Sequence, residues 1–199
     1  MKKSFDWRRL ARVGAVLVAA SLPTMPASSQ DQHLEQYSAF AVNLPGARPG
    51  DRSVSGVIQI TIDGWSTEAE RVSLVEAFES GGQDRLLREL ERRKAVGYVR
   101  LPTTLRYDLH FSRQTVAPDG TRRIILATDR EMTAYEEAKR PITSEYPFTI
   151  IELRVNKDGV GEGRLSALTR IRANKKEQTI ELENYGDAPA RLTEVKPLR

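Results

Sequence analysis

Twice between Val54 and Phe111 the apolar residues fall on every second position, and that period limits the fold more than any other feature of the chain. In VSGVIQITIDGW (54–65), Ile58, Ile60 and Ile62 alternate with Gln59, Thr61 and Asp63. In LRYDLHF (105–111), Leu105, Tyr107, Leu109 and Phe111 alternate with Arg106, Asp108 and His110. A period of two puts one set of side chains on each face of a strand, so both segments predict half-buried strands. QYSAFAVNL (36–44) predicts another strand, with Phe40, Val42 and Leu44 on one face.

Between these strands the period changes. Thr67-Glu68-Ala69-Glu70 has the form of a capping box, in which the Thr67 hydroxyl and the Glu70 carboxylate satisfy each other's backbone N–H groups. Ala69, Val72, Val75 and Phe78 follow at helical spacing, and Ser80-Gly81-Gly82 predicts a stop. A second helix is expected from Asp84 to about Lys94, burying Leu86, Leu87 and Leu90. Together they predict a helical hairpin over about 67–94.

Beyond it, RRIILAT (122–128), FTIIELRV (148–155), GRLSALTRIR (163–172), QTIELEN (178–184) and RLTEV (191–195) read as strands. APDG (117–120) and Asn156-Lys157-Asp158-Gly159 supply turn chemistry between them, and Gly159 to Gly163 reads as a flexible glycine-rich turn with a bulge. Tight turns favour antiparallel pairing, because parallel strands need long crossovers. The expectation is an α+β fold: a curved antiparallel meander sheet of about eight strands with an inserted helical hairpin. If the 163–172 and 178–184 strands pair, Arg170 and Arg172 face the Glu181–Glu183 region across the ladder.

The first 29 residues read as a segment apart. Lys2, Lys3, Arg8, Arg9 and Arg12 form a positive n-region, Val13 to Leu22 a short apolar run, and Ala27-Ser28-Ser29 a small-residue cleavage site. That is the layout of a secretory signal peptide, and ten apolar residues are too few to span a bilayer. The expected organisation is therefore a signal peptide at 1–29 and a single domain at 30–199, located in the periplasm or secreted. Setting the leader aside removes five of the 31 basic residues and one of the 27 acidic ones, which leaves 26 of each. The sequence pI of 9.4 thus owes much to the leader, and a nucleic-acid binder's net basic surface is not expected. With no cysteine in the chain, disulfide staples, thiol nucleophiles and zinc–thiolate sites are excluded.

GWSTEAER, PDGTRRIILATDR, YPFTIIELRV and IELENYGDAPARL together resemble a family of exported bacterial proteins with no assigned activity, over about Thr61 to Val195. The resemblance implies a secreted bacterial origin. It carries no functional residues across.

Candidate sites are few. Trp65 stands between a strand and a helix, where its ring could stack on a ligand, sit in an interface, or anchor the helices on the sheet; packing is the expected role. His33 and His110 form no metal-ligand spacing, so no metal and no cofactor is expected. The sequence has neither a Gly-x-Ser-x-Gly elbow nor a phosphate-cradling glycine loop. Chemistry concentrates in DREMTAYEEAKRPITSEY (129–146), a long connection for a meander. Its carboxylates Asp129, Glu131, Glu136, Glu137 and Glu145 are candidates for general acid and base, and Tyr135, Arg140 and Tyr146 for ligand contact. Arg85, Arg88 and Arg92 make a basic ridge on the second helix, read as an ion-paired solvent face.

The functional expectation is a non-catalytic binding or interaction module of the bacterial envelope, with an envelope protein or a small ligand as partner. The alternatives are a hydrolase using the 129–146 carboxylates and a structural envelope component that acts by sheet-edge pairing.

Overall fold

The computed structural model describes residues 33–44, 54–102, 106–130, 132, 148–166, 169–174, 179–184 and 189–198, with no side-chain detail for 169–174 and 179–184. The expected signal peptide, most of the 129–146 connection and Leu105 lie outside these residues.

Among the described residues ten strands and one helix follow in order: β1 (Glu35–Leu44), β2 (Val54–Ile62), α1 (Glu68–Glu91), β3 (Gly97–Arg100), β4 (Arg106–Val116), β5 (Arg122–Thr128), β6 (Ile150–Val155), β7 (Gly161–Ser166), β8 (Thr169–Asn174), β9 (Thr179–Asn184) and β10 (Ala190–Pro197). Eight of them close into a barrel in the order β1-β10-β7-β6-β5-β4-β3-β2, every pair antiparallel. The eight-stranded antiparallel sheet is as expected, but it is not an open curved meander. The β1–β10 ladder, from Tyr37 opposite Pro197 to Val42 opposite Arg191, removes both edges. Such a pairing joins residues some 150 positions apart and leaves no local pattern.

The segment expected as one strand over 163–172 is two. After β7 the chain leaves the barrel, and β8 pairs with β9 as a separate two-stranded ribbon. Its register sets Arg170 opposite Glu183 and Arg172 opposite Glu181, the pairing of positions expected for these strands.

The barrel is filled by side chains, as an eight-stranded barrel is just wide enough to allow. Ile58, Ile60, Ile62, Leu109, Ile124, Leu126, Ile151, Leu153 and Leu192 all point inward and are wholly buried. β1 uses the face opposite to the one expected. Tyr37, Ala39 and Ala41 are buried, while Phe40 is 39% exposed. A bulge past Ala41, where Asn43 takes a φ of 62°, then returns Leu44 to the interior. β4 flips in the same way. Its register shifts between Leu109 and Phe111, so Ser112 is buried opposite Leu126 and Phe111 turns outward beneath the helix.

α1 is a single helical element and not the helical hairpin expected, because no loop separates its halves. It begins with the full capping box: the Thr67 N–H donates to Glu70 Oε2 at 2.6 Å, and the Glu70 N–H to Thr67 Oγ1 at 3.2 Å. Its backbone leaves helical geometry only at Gly81 and Gly82, the latter at a φ of 64° that side-chain-bearing residues rarely adopt. The kink brings Ser73 Oγ within 3.2 Å of Glu89 Oε1, sixteen residues on. Leu74, Leu86 and Leu90 pack on Ala127, Phe148 and Ile150, making a second core outside the barrel wall. The expected face is corrected at its start, where Ala69 and Val72 are exposed and Leu74 and Ala77 are buried instead.

The glycine-rich 159–163 stretch is mostly strand. Asn156 Oδ1 accepts from the N–H groups of Asp158 and Val160, which closes the turn. Gly161 then lies inside β7, where a Cβ would fall 1.9 Å from the Arg154 carbonyl oxygen.

Candidate functional site

Four polar constellations emerge among the described residues. The first crosses the barrel. β1 and β5 stand four strands apart in either direction, so a contact between them spans the lumen. Arg122 Nη2 donates to Glu35 Oε1 and Oε2 at 2.7 and 2.9 Å, and also to Gln114 Oε1 at 2.6 Å. The phenol of Tyr37, itself buried, donates to Glu35 Oε2 at 2.5 Å. Burial pushes that phenol's pKa up, and the Glu35 hydrogen bond and charge push it further, against the smaller opposing pull of Arg122. The cluster bars this part of the lumen.

The second constellation contains the one described carboxylate of the 129–146 candidates. Asp129 Oδ2 lies 3.4 Å from His110 Nε2. His110 Nδ1 sits 2.8 Å from the Arg93 carbonyl oxygen, which can only accept, so Nδ1 carries the proton. The imidazole thus ties β4 to the end of the helical segment, and its Nε2 pairs with Asp129 only when that nitrogen is protonated as well. Thr128, Met132 and Thr149 pin that connection: the Thr149 N–H donates to Thr128 Oγ1 at 2.9 Å, and the Met132 N–H to Thr149 Oγ1 at 2.7 Å. Glu131, Tyr135, Glu136, Glu137, Arg140, Glu145 and Tyr146 lie outside the described residues, so no geometry links them to Asp129.

The third is a cleft of about 900 Å³ between the halves of α1, lined by Glu76 and Glu79 of the first half and by Arg85, Arg88, Glu89 and Arg92 of the second. The basic ridge read from the sequence therefore lines this open cleft, with acids on both halves. Arg93, adjacent to it, pairs with Glu89 at 3.2 Å and reaches Glu70 at 3.7 Å.

The fourth lies on the outer wall. Glu152, 8% exposed on β6, takes Arg123 Nε on Oε1 at 2.9 Å and Arg154 Nε on the same oxygen at 3.0 Å. Arg164 Nη2 approaches Oε2 at 3.4 Å. Burial raises this carboxyl's pKa, but the hydrogen bonds and charges of Arg123 and Arg154 outweigh it and hold the group below the ordinary glutamate range. In the sequence Glu152 and Arg154 are two charges at alternate positions of one strand. Their convergence with Arg123 and Arg164 depends on the β5–β6–β7 register, which no local pattern shows.

Trp65 is half-buried and packs, with Val96, against the barrel core. The expected packing role is what the structure displays, although its contact is the barrel core. Next to it, Ser112 Oγ donates to the Gly64 carbonyl oxygen at 2.5 Å and the Ser66 N–H to that of Ser112 at 2.8 Å, fastening the β2–α1 connection to β4. Among the described residues no group of three His, Asp or Glu side chains could hold a metal ion, and no helix is long and apolar enough to cross a membrane.

The fold and these sites define a filled, closed antiparallel barrel with one ion pair across its lumen and the Glu152 cluster on its outer wall. Comparison of the chain with protein-family models, curated proteins and solved structures found no match.

Proposed function

We propose that the chain is an exported, non-catalytic binding or interaction module of the bacterial envelope that meets its partner on the outer surface of the barrel. One observation carries this reading: the lumen is occupied by apolar side chains and barred by the Glu35–Arg122 pair, whereas converging guanidinium groups face outward. A carrier of small ligands would need that interior as its pocket. A barrel whose strands face lipid would show the inverse pattern, apolar outside and polar within. The leader-like segment at 1–29 and the resemblance to exported bacterial proteins support the location.

A carboxyl acting as general acid works with a pKa raised toward neutrality. Among the described carboxylates with a perturbed pKa, Glu68, Glu70, Asp119 and Glu152, every shift is downward. Edge pairing has no place on the closed barrel and narrows to the β8–β9 ribbon.

The test is copurification of the full chain from the envelope fraction of its source, followed by mass-spectrometric identification of what is retained. Specific retention of an envelope component, abolished by charge substitutions on the outer wall, is the expected result. Turnover of an ester, amide or glycoside panel by the purified chain, lost on Asp129→Asn, would replace this reading with the hydrolase.

A further inference from the structure

The cleft between the halves of α1 is not built like an ordinary solvent face. Arg85, Arg88 and Arg92 recur at i, i+3 and i+7 along the second half, and Glu76 and Glu79 at i and i+3 along the first. Like charges at these spacings destabilise a helix unless ion pairs offset them. The ion pairs of α1 lie elsewhere: Glu68 with Arg71 and Arg113, and Arg93 with Glu70 and Glu89. Among the described residues Arg85, Arg88, Arg92, Glu76 and Glu79 have no ion-pair partner, so the ion-paired face expected at the arginine ridge does not form. Asp84, four residues before Arg88, leaves it free to line the cleft. Uncompensated repulsion of this kind marks residues that folding alone does not favour.

The kink at Gly81 and Gly82 turns the second half back along the first. Ser73 meets Glu89 at 3.2 Å and Glu70 lies 3.7 Å from Arg93, so the contacts run in opposite chain directions away from the kink. Gly81 leaves room for the stem of Arg85, whose Cβ and Cδ would stand 2.8 Å from any Cβ added at position 81. Leu74, Leu86 and Leu90 hold both halves on the outside of the barrel. The cleft of about 900 Å³ has the size of a small-molecule pocket, roughly 300–1,000 Å³. Glu89 is already shared by Ser73 and Arg93. That leaves three guanidinium groups against two carboxylates, an excess of one positive charge.

We infer that this cleft binds a short peptide with a free amino terminus and at least two carboxylates, the carboxylates on Arg85, Arg88 and Arg92 and the ammonium on Glu76 and Glu79. A guanidinium fork takes a carboxylate through two parallel N–H donors. A polyphosphate or a nucleic-acid strand suits the cleft less well, because Glu76 and Glu79 repel it. The inference goes beyond the envelope-module reading and stands apart from it, since the cleft belongs to α1 and the Glu152 cluster to the barrel wall.

The experiment is isothermal titration of the full chain with the tripeptide Ala-Glu-Ala, whose single ammonium and two carboxylates match this charge balance. The control is its N-acetylated form, which lacks the ammonium. The parent should bind the free tripeptide more tightly than the acetylated one. Arg88→Gln/Arg92→Gln should weaken both by about tenfold or more, the loss of one charge-assisted hydrogen bond being about tenfold. Glu76→Gln/Glu79→Gln should separate them: weaker binding of the free tripeptide, tighter binding of the acetylated one, whose carboxylates no longer meet repulsion. Both variants should unfold thermally at or above the parental temperature, since each relieves like-charge repulsion on its own half.

No binding of the free tripeptide, or equal parental affinity for both forms, would overturn the inference. So would a Glu76→Gln/Glu79→Gln variant that shifts both affinities alike, which would make the cleft a plain anion site. An unfolding temperature lowered in both variants would make these charges structural and overturn it as well. The module reading is tested separately, by retention of an envelope component, and survives any of these results.

Discussion

Four positions show what the fold asks of single residues. The phenol of Tyr37 is buried, and its pKa is raised by that burial and by Glu35. Because the folded state holds this proton more tightly than the unfolded chain, stability is fully present below the ordinary tyrosine value, about 10, and falls as pH rises beyond it. Tyr37→Phe should cost about 1 kcal/mol at neutral pH and flatten the alkaline limb of a denaturation–pH profile. An unchanged limb would remove the phenol from the account. Glu152 has the opposite sign. Its folded pKa lies below the ordinary value, so its stabilisation is present above about pH 4.5 and is lost as pH falls through the lower folded value. Glu68, pulled down to about 2 by its hydrogen bonds to Arg71 and Arg113, adds to the same acid limb. Glu152→Gln should reduce the steepness of acid unfolding below about pH 4.5. Gly161 is required by space alone, and Gly161→Ala should cost about 2–4 kcal/mol in denaturant unfolding because β7 must move off the Arg154 carbonyl.

At the scale of elements, the β2–α1 connection carries the most structure for its length. Trp65 on the barrel core, the Ser112–Gly64 bond and the Thr67 capping box act within four residues of chain. Trp65→Ala should lower stability by about 2–3 kcal/mol, less than the loss of a wholly buried tryptophan, and thermal unfolding of that variant at the parental temperature would contradict the packing role. Much at this scale was legible in the sequence: the Ile58–Ile60–Ile62 alternation, the capping box, both tight turns, and the burial of Leu86 and Leu90. Faces were less so. On β1 the apolar residues Phe40, Val42 and Leu44 suggested the inward side, yet the lumen takes Tyr37, Ala39 and Ala41, and of the three only Leu44, past the bulge. Phe111 misled in the same way, since a bulge one residue earlier reverses the alternation and sequence gives no sign of it.

For the whole molecule, the connections β1–β2, β3–β4, β5–β6 and β7–β10 leave from one end of the barrel, and the short turns and the helix from the other. The Glu152 cluster stands on the wall. That cluster was invisible to sequence reading for the same reason as closure itself: both arise from register between strands distant in the chain. Closure is the claim on which the rest depends, because it fills the lumen, removes the edges and sets the Glu152 cluster on the outer wall. In β1, successive backbone N–H groups point alternately toward β2 and toward β10. Residue-resolved amide hydrogen exchange therefore tests closure directly. A closed barrel predicts slow exchange at both alternating sets of amides in the paired stretch Tyr37 to Val42, the bulge at Ala39 excepted. An open sheet ending at β1 would protect only the set facing β2 and leave the other exchanging freely, and that result would contradict the account.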